Sequence, residues 1–260
     1  MSTYNGKFVW YELMTTDAPA AQAFYTEVIG WQASDAGMSD MAYTILSAGD
    51  TMVGGLMTLP AEACANGARP SWSGYVAVDD VDAAAARFAQ AGGRVHLAGT
   101  DIPGVGRFAV VADPHGAALV LFKGSSEAPP ARPPAGTPGL VGWHELHAGD
   151  QASAMAFYAE QFGWTKADAL DMGEMGIYQL FASGDGPAVG GIMTKTPEMP
   201  VPMWLYYFNV ADINAALARV SANGGKVCMG PHQVPGGSWI AQCLDPQGVL
   251  FAMVAMPQPA

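Results

Sequence analysis

The sequence predicts an α+β fold of tandem paired βαβββ modules, with curved, open-barrel-like sheets and the helices outside. Three observations predict it. The chain repeats itself, each repeat alternates short strands with single helices, and turn residues separate the strands. The chain of 260 residues contains 32 glycines and 19 prolines, which suits many short strands joined by tight turns.

The repeat is visible when "FVWYELMTTDAPAAQAFYTEVIGW" (Phe8–Trp31) is set above "VGWHELHAGDQASAMAFYAEQFGW" (Val141–Trp164). Later stretches match in the same order, among them "VGGLM" with "VGGIM" and "VDDVDAAAARFAQAGGRV" with "VADINAALARVSANGGKV". Such collinear matches indicate a tandem duplication. We predict one module at residues 1–123, a Pro/Gly-rich linker at 124–139 and a second module at 140–260.

Both copies predict the same order of elements. An alternating strand comes first, at Phe8–Met14 and at Val141–His147. A helix follows and is bounded by an N-cap aspartate and a C-terminal glycine, namely Asp17 and Gly30, and Asp150 and Gly163. A strand hairpin, another strand, an alanine-rich helix and two final strands complete the copy. The final strands are joined by "DPHG" or "DPQG", which is typical of a type I turn.

The bulk composition excludes several kinds of partner. The formal net charge of −12 argues against a nucleic-acid partner and against adhesion to an anionic membrane surface. No apolar run is long enough to span a bilayer, and the N-terminus has no signal-peptide pattern. The three cysteines form no CxxC pair and predict reduced thiols in a cytoplasmic protein. We expect a small-molecule partner and either a monomer or a homodimer.

The pattern "EL...D...A.AFY....GW" followed by "DP.G" resembles the vicinal oxygen chelate superfamily, which includes glyoxalase I, bleomycin-resistance proteins and extradiol dioxygenases. The two-copy form with "WxEL" is most similar to a glyoxalase-like group of mycobacterial secreted antigens and actinobacterial "hydroxylases". The resemblance covers nearly the whole chain outside the linker. It implies paired βαβββ modules that close into a cup and bind a ligand on the concave sheet surface.

The same resemblance implies three metal-ligand positions in each cup. In this sequence they are occupied by Trp10 and Trp143, Ser73 and Leu205, and Val120 and Ala252. Divalent ions in proteins take imidazole, carboxylate or thiolate ligands, so we expect no metal and no cofactor. One alternative stays open, a site in the second copy formed by Glu145, His147 and His232. His144 lies on the opposite face of its strand from His147 and is not expected to join it.

Two glutamates are the candidate catalytic residues, Glu12 and its duplicate Glu145. Each follows a tryptophan by two positions on the face predicted to be concave, and Tyr75 and Tyr207 are expected to project into the same space. A carboxylate in apolar, aromatic surroundings suits proton transfer near neutral pH because desolvation favours its protonated form. The alternative is structural, with each glutamate bonding backbone donors or the tyrosine opposite.

Trp10, Trp143 and His147 are the candidate substrate-binding residues. The tryptophans would offer flat faces to a planar ligand, or would simply pack in the core. We therefore expect a glyoxalase-like protein that binds a small carbonyl or aromatic compound. A metal-independent lyase or isomerase, a sequestering resistance protein, a metal-dependent lyase or dioxygenase, and a non-catalytic interaction role all stay open.

Overall fold

The structure, a computed structural model, describes residues 4–38, 41–125 and 133–257. The strands and helices of the first copy are β1 (Phe8–Thr15), α1 (Ala18–Ile29), β2 (Gln32–Asp35), β3 (Tyr43–Ala48), β4 (Thr51–Thr58), α2 (Ala61–Ala65), β5 (Ser71–Ala77), α3 (Val81–Gln90), β6 (Arg94–Ile102), β7 (Gly106–Ala112) and β8 (Ala118–Gly124). This is the predicted βαβββ order taken twice, with the short helix α2 between its halves.

The second copy repeats this order, with a 3₁₀ turn at Gly173–Met175 and no counterpart of α2 among its described residues. Its strands and helices are β9 (Val141–Ala148), α4 (Gln151–Phe162), β10 (Thr165–Asp171), β11 (Ile177–Ala182), β12 (Gly190–Thr194), β13 (Met203–Asn209), α5 (Ile213–Ala222), β14 (Lys226–Gln233), β15 (Trp239–Leu244) and β16 (Leu250–Ala255).

Each copy supplies one eight-stranded mixed sheet. The strand orders are β2-β3-β4-β1-β5-β8-β7-β6 and β10-β11-β12-β9-β13-β16-β15-β14, and within the described residues neither sheet closes into a barrel. The first strand of each copy runs parallel to the fourth, as in β1 with β4 and β9 with β12. The prediction of an α+β fold of tandem modules is confirmed.

The helix boundaries follow from the capping residues that the sequence indicates. Asp17 Oδ1 accepts a hydrogen bond from the Ala20 N–H at 3.0 Å, and Asp150 Oδ1 accepts one from the Ser153 N–H at 2.8 Å. Both helices end at a glycine with positive φ, the left-handed conformation that glycine adopts without strain.

Four strands were not predicted individually. β2 and β10 at one end of the two sheets, and β6 and β14 at the other, carry mostly exposed side chains. Because an exposed edge strand buries neither face, its sequence lacks the alternation of apolar and polar residues that predicts a strand.

The chain forms two compact units, and both combine segments from the two copies. Unit 1 comprises Met1–Trp10, Ser73–Pro130 and His144–Trp204, and unit 2 comprises Tyr11–Trp72, Ala131–Trp143 and Leu205–Ala260, each within the described residues. Each unit therefore joins the first half of one copy to the second half of the other. Strands β1–β8 form one sheet and β9–β16 the other, and residues 126–132 of the predicted linker lie outside the described residues.

A buried tyrosine–aspartate pair holds the two halves of each unit together. In unit 2, the Tyr25 hydroxyl on α1 donates to Asp245 Oδ2 at 3.2 Å and accepts from the Trp72 indole N–H at 3.0 Å. Unit 1 repeats this arrangement with Tyr158, Asp113 and Trp204, at 3.2 Å and 3.4 Å. The "AFY" and "DP.G" motifs therefore lock each half of one copy to a half of the other.

Within the described residues, no helix is long and apolar enough to cross a membrane. Cys64 and Cys228 are exposed thiols, and Cys243 is a buried one.

Candidate functional site

Strand β9 presents Glu145 and His147 on one face and His144 on the other. The His144 ring stacks on Phe8 with centroids 4.1 Å apart, and its Nδ1 lies 2.7 Å from the Val189 carbonyl oxygen. Phe8 in turn contacts Trp204, which bonds to the hydroxyl of Tyr158 on helix α4. His144 therefore belongs to the core beneath the helix, and Glu145 and His147 lie on the face opposite it.

A tyrosine holds the Glu145 carboxylate. The Tyr178 hydroxyl on β11 donates to Glu145 Oε2 at 2.9 Å, and the glutamate side chain is buried. Gly191 on β12 pairs in register with Glu145, and a Cβ at that glycine would collide with the Tyr178 ring. The Gly-Gly pair of β12 therefore lets the tyrosine ring lie across the strand and reach the glutamate, as close backbone approach predicts.

His147 is the unusual member of this face. Its Nε2 lies 2.9 Å from Glu145 Oε1, which is an ion-pair distance, but the ring N–H direction does not satisfy hydrogen-bond geometry. Its Nδ1 is fully buried and has no hydrogen-bond partner among residues 4–38, 41–125 and 133–257. A buried polar atom without a partner costs about 1–3 kcal/mol, and few native side chains carry one. Such an atom therefore marks a candidate ligand-binding position.

Unit 2 repeats the glutamate–tyrosine pair but lacks the histidine. The Tyr43 hydroxyl donates to Glu12 Oε2 at 2.9 Å, and Gly55, in register with Glu12, leaves room for the Tyr43 ring. Met14 occupies the position two residues after Glu12, where the second copy has His147. This face of unit 2 therefore has a carboxylate held by a tyrosine and a thioether beside it.

Unit 2 also contains an apolar cluster. Tyr207, buried with Leu205, Ala252 and Val254, forms a cluster against which the half-buried Trp143 packs. The Tyr207 hydroxyl accepts a hydrogen bond from the side-chain N–H of Gln242 at 3.1 Å. Gln242 pairs with Ala252, and Val110 pairs with Val120, which corresponds to Ala252 in the first copy. The first copy therefore has Val110 at the position of Gln242.

The exchange of halves decides which predicted site residues belong together. Unit 1 contains Glu145 and His147 with Trp10 and Tyr75, and unit 2 contains Glu12 with Trp143 and Tyr207. Tyr75 is buried, lies beside Val120 in register and contacts Phe122 with ring centroids 5.9 Å apart. A single opening strand thus contributes its tryptophan to one unit and its glutamate to the other.

The donor set does not fit the metal that the resemblance implies. In unit 2 the three implied ligand positions do come together, but as Trp143, Leu205 and Ala252 in an apolar cluster. The open alternative with His232 also lacks support, because His232 is exposed on β14, whereas Glu145 and His147 are buried. The described part of the chain contains no group of three histidine, cysteine, aspartate or glutamate side chains placed to hold an ion.

Sequence reasoning did not single out Tyr43 and Tyr178, or the aspartates of the final turns, as paired residues. A signal was present, since both copies keep a tyrosine at the start of the third strand and a Gly-Gly pair on the fourth. The structural alternative for the two glutamates named backbone donors or the tyrosine opposite, with Tyr75 and Tyr207 as the tyrosines of that face. The hydroxyls that donate to the carboxylates at 2.9 Å are those of Tyr43 and Tyr178, which were not predicted.

The fold and the paired sheet faces define a protein of the glyoxalase type. The family model for the Glyoxalase/Bleomycin resistance protein/Dioxygenase superfamily matches residues 7–121 and again residues 141–253. The chain belongs to this superfamily, as the resemblance predicted.

Two full-length relatives support the same assignment. The chain is 34% identical over 254 residues to "Putative glyoxylase CFP32" of Mycobacterium tuberculosis, covering 96% of this chain and 94% of the relative. It is 33% identical over 266 residues to the anthracycline biosynthesis protein DnrV of Streptomyces peucetius, with the same coverage of 96% and 94%.

Solved structures agree on the fold. The 2,3-dioxygenase LapB from Pseudomonas sp. KL28 superposes with a TM-score of 0.67 at 14% identity, covering 100% of this chain and 96% of LapB. A Mn(II)-bound glyoxalase from Novosphingobium aromaticivorans gives a TM-score of 0.63 at 18% identity, covering 96% of this chain and 81% of that one. At these identities the likeness concerns the fold alone.

Proposed function

We propose that this protein binds a small carbonyl or aromatic compound on the helix-opposed sheet face of unit 1 and transfers a proton on it without a metal ion. The observation that carries the proposal is the buried Glu145 carboxylate, fixed by Tyr178 and adjacent to the His147 imidazole. A carboxylate and an imidazole side by side are the usual groups of general acid–base catalysis. Tyr75, in the same unit, is the candidate donor to the carbonyl oxygen.

The membership of the superfamily supports this choice of ligand class. One relative carries the name of a glyoxylase and another that of an anthracycline biosynthesis protein, and both align over nearly the whole chain. Together these names suggest a ligand that carries a carbonyl group, a planar aromatic ring, or both. Since the donor set does not fit a divalent ion, protein side chains must supply the proton transfer.

The test is exchange of the α-protons of phenylacetaldehyde in D₂O, followed by proton NMR. Wild-type protein should accelerate exchange, and Glu145→Gln should lower the catalysed rate by about 100-fold, a typical contribution of acid–base catalysis. Glu12→Gln is the matched control and should leave the rate unchanged. No acceleration by the wild type, or equal losses in the two variants, would contradict the proposal.

A sequestering function in unit 2 is the second candidate, and the apolar cluster around Tyr207 favours it. The half-buried Trp143 offers an indole face, and the Tyr207–Gln242 pair offers polar groups to a planar ligand such as an anthraquinone. Titration with 1,8-dihydroxyanthraquinone should quench tryptophan fluorescence in the wild type without product formation. Trp143→Phe should weaken binding, and Trp10→Phe serves as the matched control.

A further inference from the structure

His147 is better placed than Glu145 to accept a proton from a bound ligand. Both carboxylate oxygens of Glu145 already have neighbours, since Oε2 accepts from Tyr178 and Oε1 lies 2.9 Å from His147 Nε2. His147 Nδ1, in contrast, is buried without a hydrogen-bond partner in the described ranges. The reactive lone pair of this face therefore lies on the imidazole more readily than on the carboxylate.

We propose that His147 is the catalytic base of unit 1, that Nδ1 is its reacting atom, and that Glu145 and Tyr178 are positioning residues. This inference rests on the proposed function and names the group that performs it. A carboxylate beside one ring nitrogen orients the imidazole and stabilises the imidazolium that forms when the other nitrogen takes a proton. Tyr178 keeps the carboxylate in place through its hydroxyl.

The substrate class is a carbonyl compound with an acidic α C–H bond. The lone pair of His147 Nδ1 takes the α-proton. The electron pair of the broken C–H bond forms the C=C bond of the enolate, and the π electrons of the carbonyl move to its oxygen, which becomes C–O⁻. The imidazolium remains paired with the Glu145 carboxylate. Return of the proton from Nδ1 to the same carbon, or of a deuteron after exchange with solvent, restores the carbonyl, so the step consumes no oxidant or reductant.

Unit 2 provides the internal comparison for this assignment. It keeps the glutamate, the tyrosine and the glycine that makes room for the tyrosine, but Met14 replaces the histidine. A thioether does not accept a proton near neutral pH, because it is only a weak hydrogen-bond acceptor. Unit 2 therefore lacks the base that this proposal assigns to unit 1.

Chemical rescue tests the assignment with phenylacetaldehyde as the probe. His147→Ala should lower α-proton exchange by about 100-fold, and added imidazole should restore it in proportion to its concentration, because the truncated side chain leaves room for the ring. Glu145→Ala should also lose exchange but should not respond to imidazole. His147→Met, which copies the residue at the same position in the first copy, should match unrescued His147→Ala and checks the result in a side chain of similar bulk.

The outcomes separate this inference from the proposed function. A wild-type protein that does not accelerate exchange overturns both. Wild-type rates in His147→Ala and His147→Met, together with loss in Glu145→Gln, leave the acid–base site standing and overturn the role of His147. Rescue of Glu145→Ala by imidazole, without rescue of His147→Ala, reverses the two roles and also overturns the inference.

Discussion

Unit 1 and unit 2 contain equivalent strands and long helices, and each has a tyrosine-held glutamate on a sheet face. They differ beside that glutamate. Unit 1 has His147 with an unpaired ring nitrogen, within the described residues, whereas unit 2 has Met14 and an apolar cluster that includes Trp143. The glutamate–tyrosine pair is therefore part of the shared architecture, and in our proposal the neighbouring residue determines which unit can transfer a proton.

Substitution of the glycine that lies under each tyrosine ring, Gly191 in unit 1 and Gly55 in unit 2, should reveal the largest difference between the units. In Gly191→Ala, the added Cβ collides with the Tyr178 ring and should destabilise the protein by about 1–3 kcal/mol, the usual cost of overpacking. The displaced tyrosine should also release Glu145 and lower α-proton exchange by at least about tenfold.

Gly55→Ala is the matched change in unit 2, because its Cβ collides with the Tyr43 ring. It should cost a similar free energy of unfolding, measured by urea denaturation, and leave the exchange rate unchanged. Equal losses of exchange in the two variants would show that the tyrosine-held glutamates have equivalent roles.

Removal of the buried tyrosine hydroxyl that bonds to an aspartate, Tyr25 in unit 2 or Tyr158 in unit 1, should destabilise the unit that contains it more than the other unit. Tyr25→Phe removes the donor to Asp245 Oδ2 and the acceptor of the Trp72 N–H, which should cost about 1–3 kcal/mol. Cys243 lies in the same unit, and burial raises the pKa of its thiol to about 12. Its alkylation by iodoacetamide at pH 8 should therefore be slow in the wild type and faster in Tyr25→Phe.

Tyr158→Phe makes the equivalent change in unit 1 and should leave the labelling of Cys243 near the wild-type rate. The exposed Cys64 and Cys228 provide the rate of an unprotected thiol in both variants. Equal acceleration by both changes would mean that the two units open together.

The smallest expected effect concerns Asp245. Burial raises the pKa of its carboxyl, against the opposing effect of hydrogen bonds from the Val249 N–H and the Tyr25 hydroxyl. Because the folded pKa lies above the unfolded value of about 3.9, the stability from this group is present below the unfolded pKa and is lost as pH rises through the folded pKa. Asp245→Asn should remove this fall of stability with pH, measured as urea midpoints at increasing pH from pH 4. An unchanged dependence on pH would show that Asp245 is not its source.

Most of the fold could be predicted from the sequence because duplication, strand alternation and helix caps are local signals. Asp17, Gly30 and their counterparts bound the first helix of each copy, as expected. The edge strands β2, β6, β10 and β14 escaped prediction because exposed strands need no apolar alternation. The exchange of halves between copies could not be predicted either, since strand alternation and helix caps are local and do not specify which half packs against which.

The candidate site could likewise be predicted only where it depends on local sequence. The alternation of β9 correctly separated His144 from Glu145 and His147, because the pleat is a local property. Tyr43 and Tyr178 reach the glutamates from another strand, and the register that brings them there depends on the whole sheet. The unpaired nitrogen of His147 is likewise visible only when its neighbours are in place.

A reciprocal exchange of His147 and Met14 tests the central claim most directly. In the double variant Met14→His/His147→Met, the α-proton exchange of phenylacetaldehyde should become sensitive to Glu12→Gln and insensitive to Glu145→Gln, because the imidazole has moved beside the other glutamate. Exchange that continues at the wild-type rate and still depends on Glu145 would contradict the account, since the histidine would then not be what distinguishes the two units.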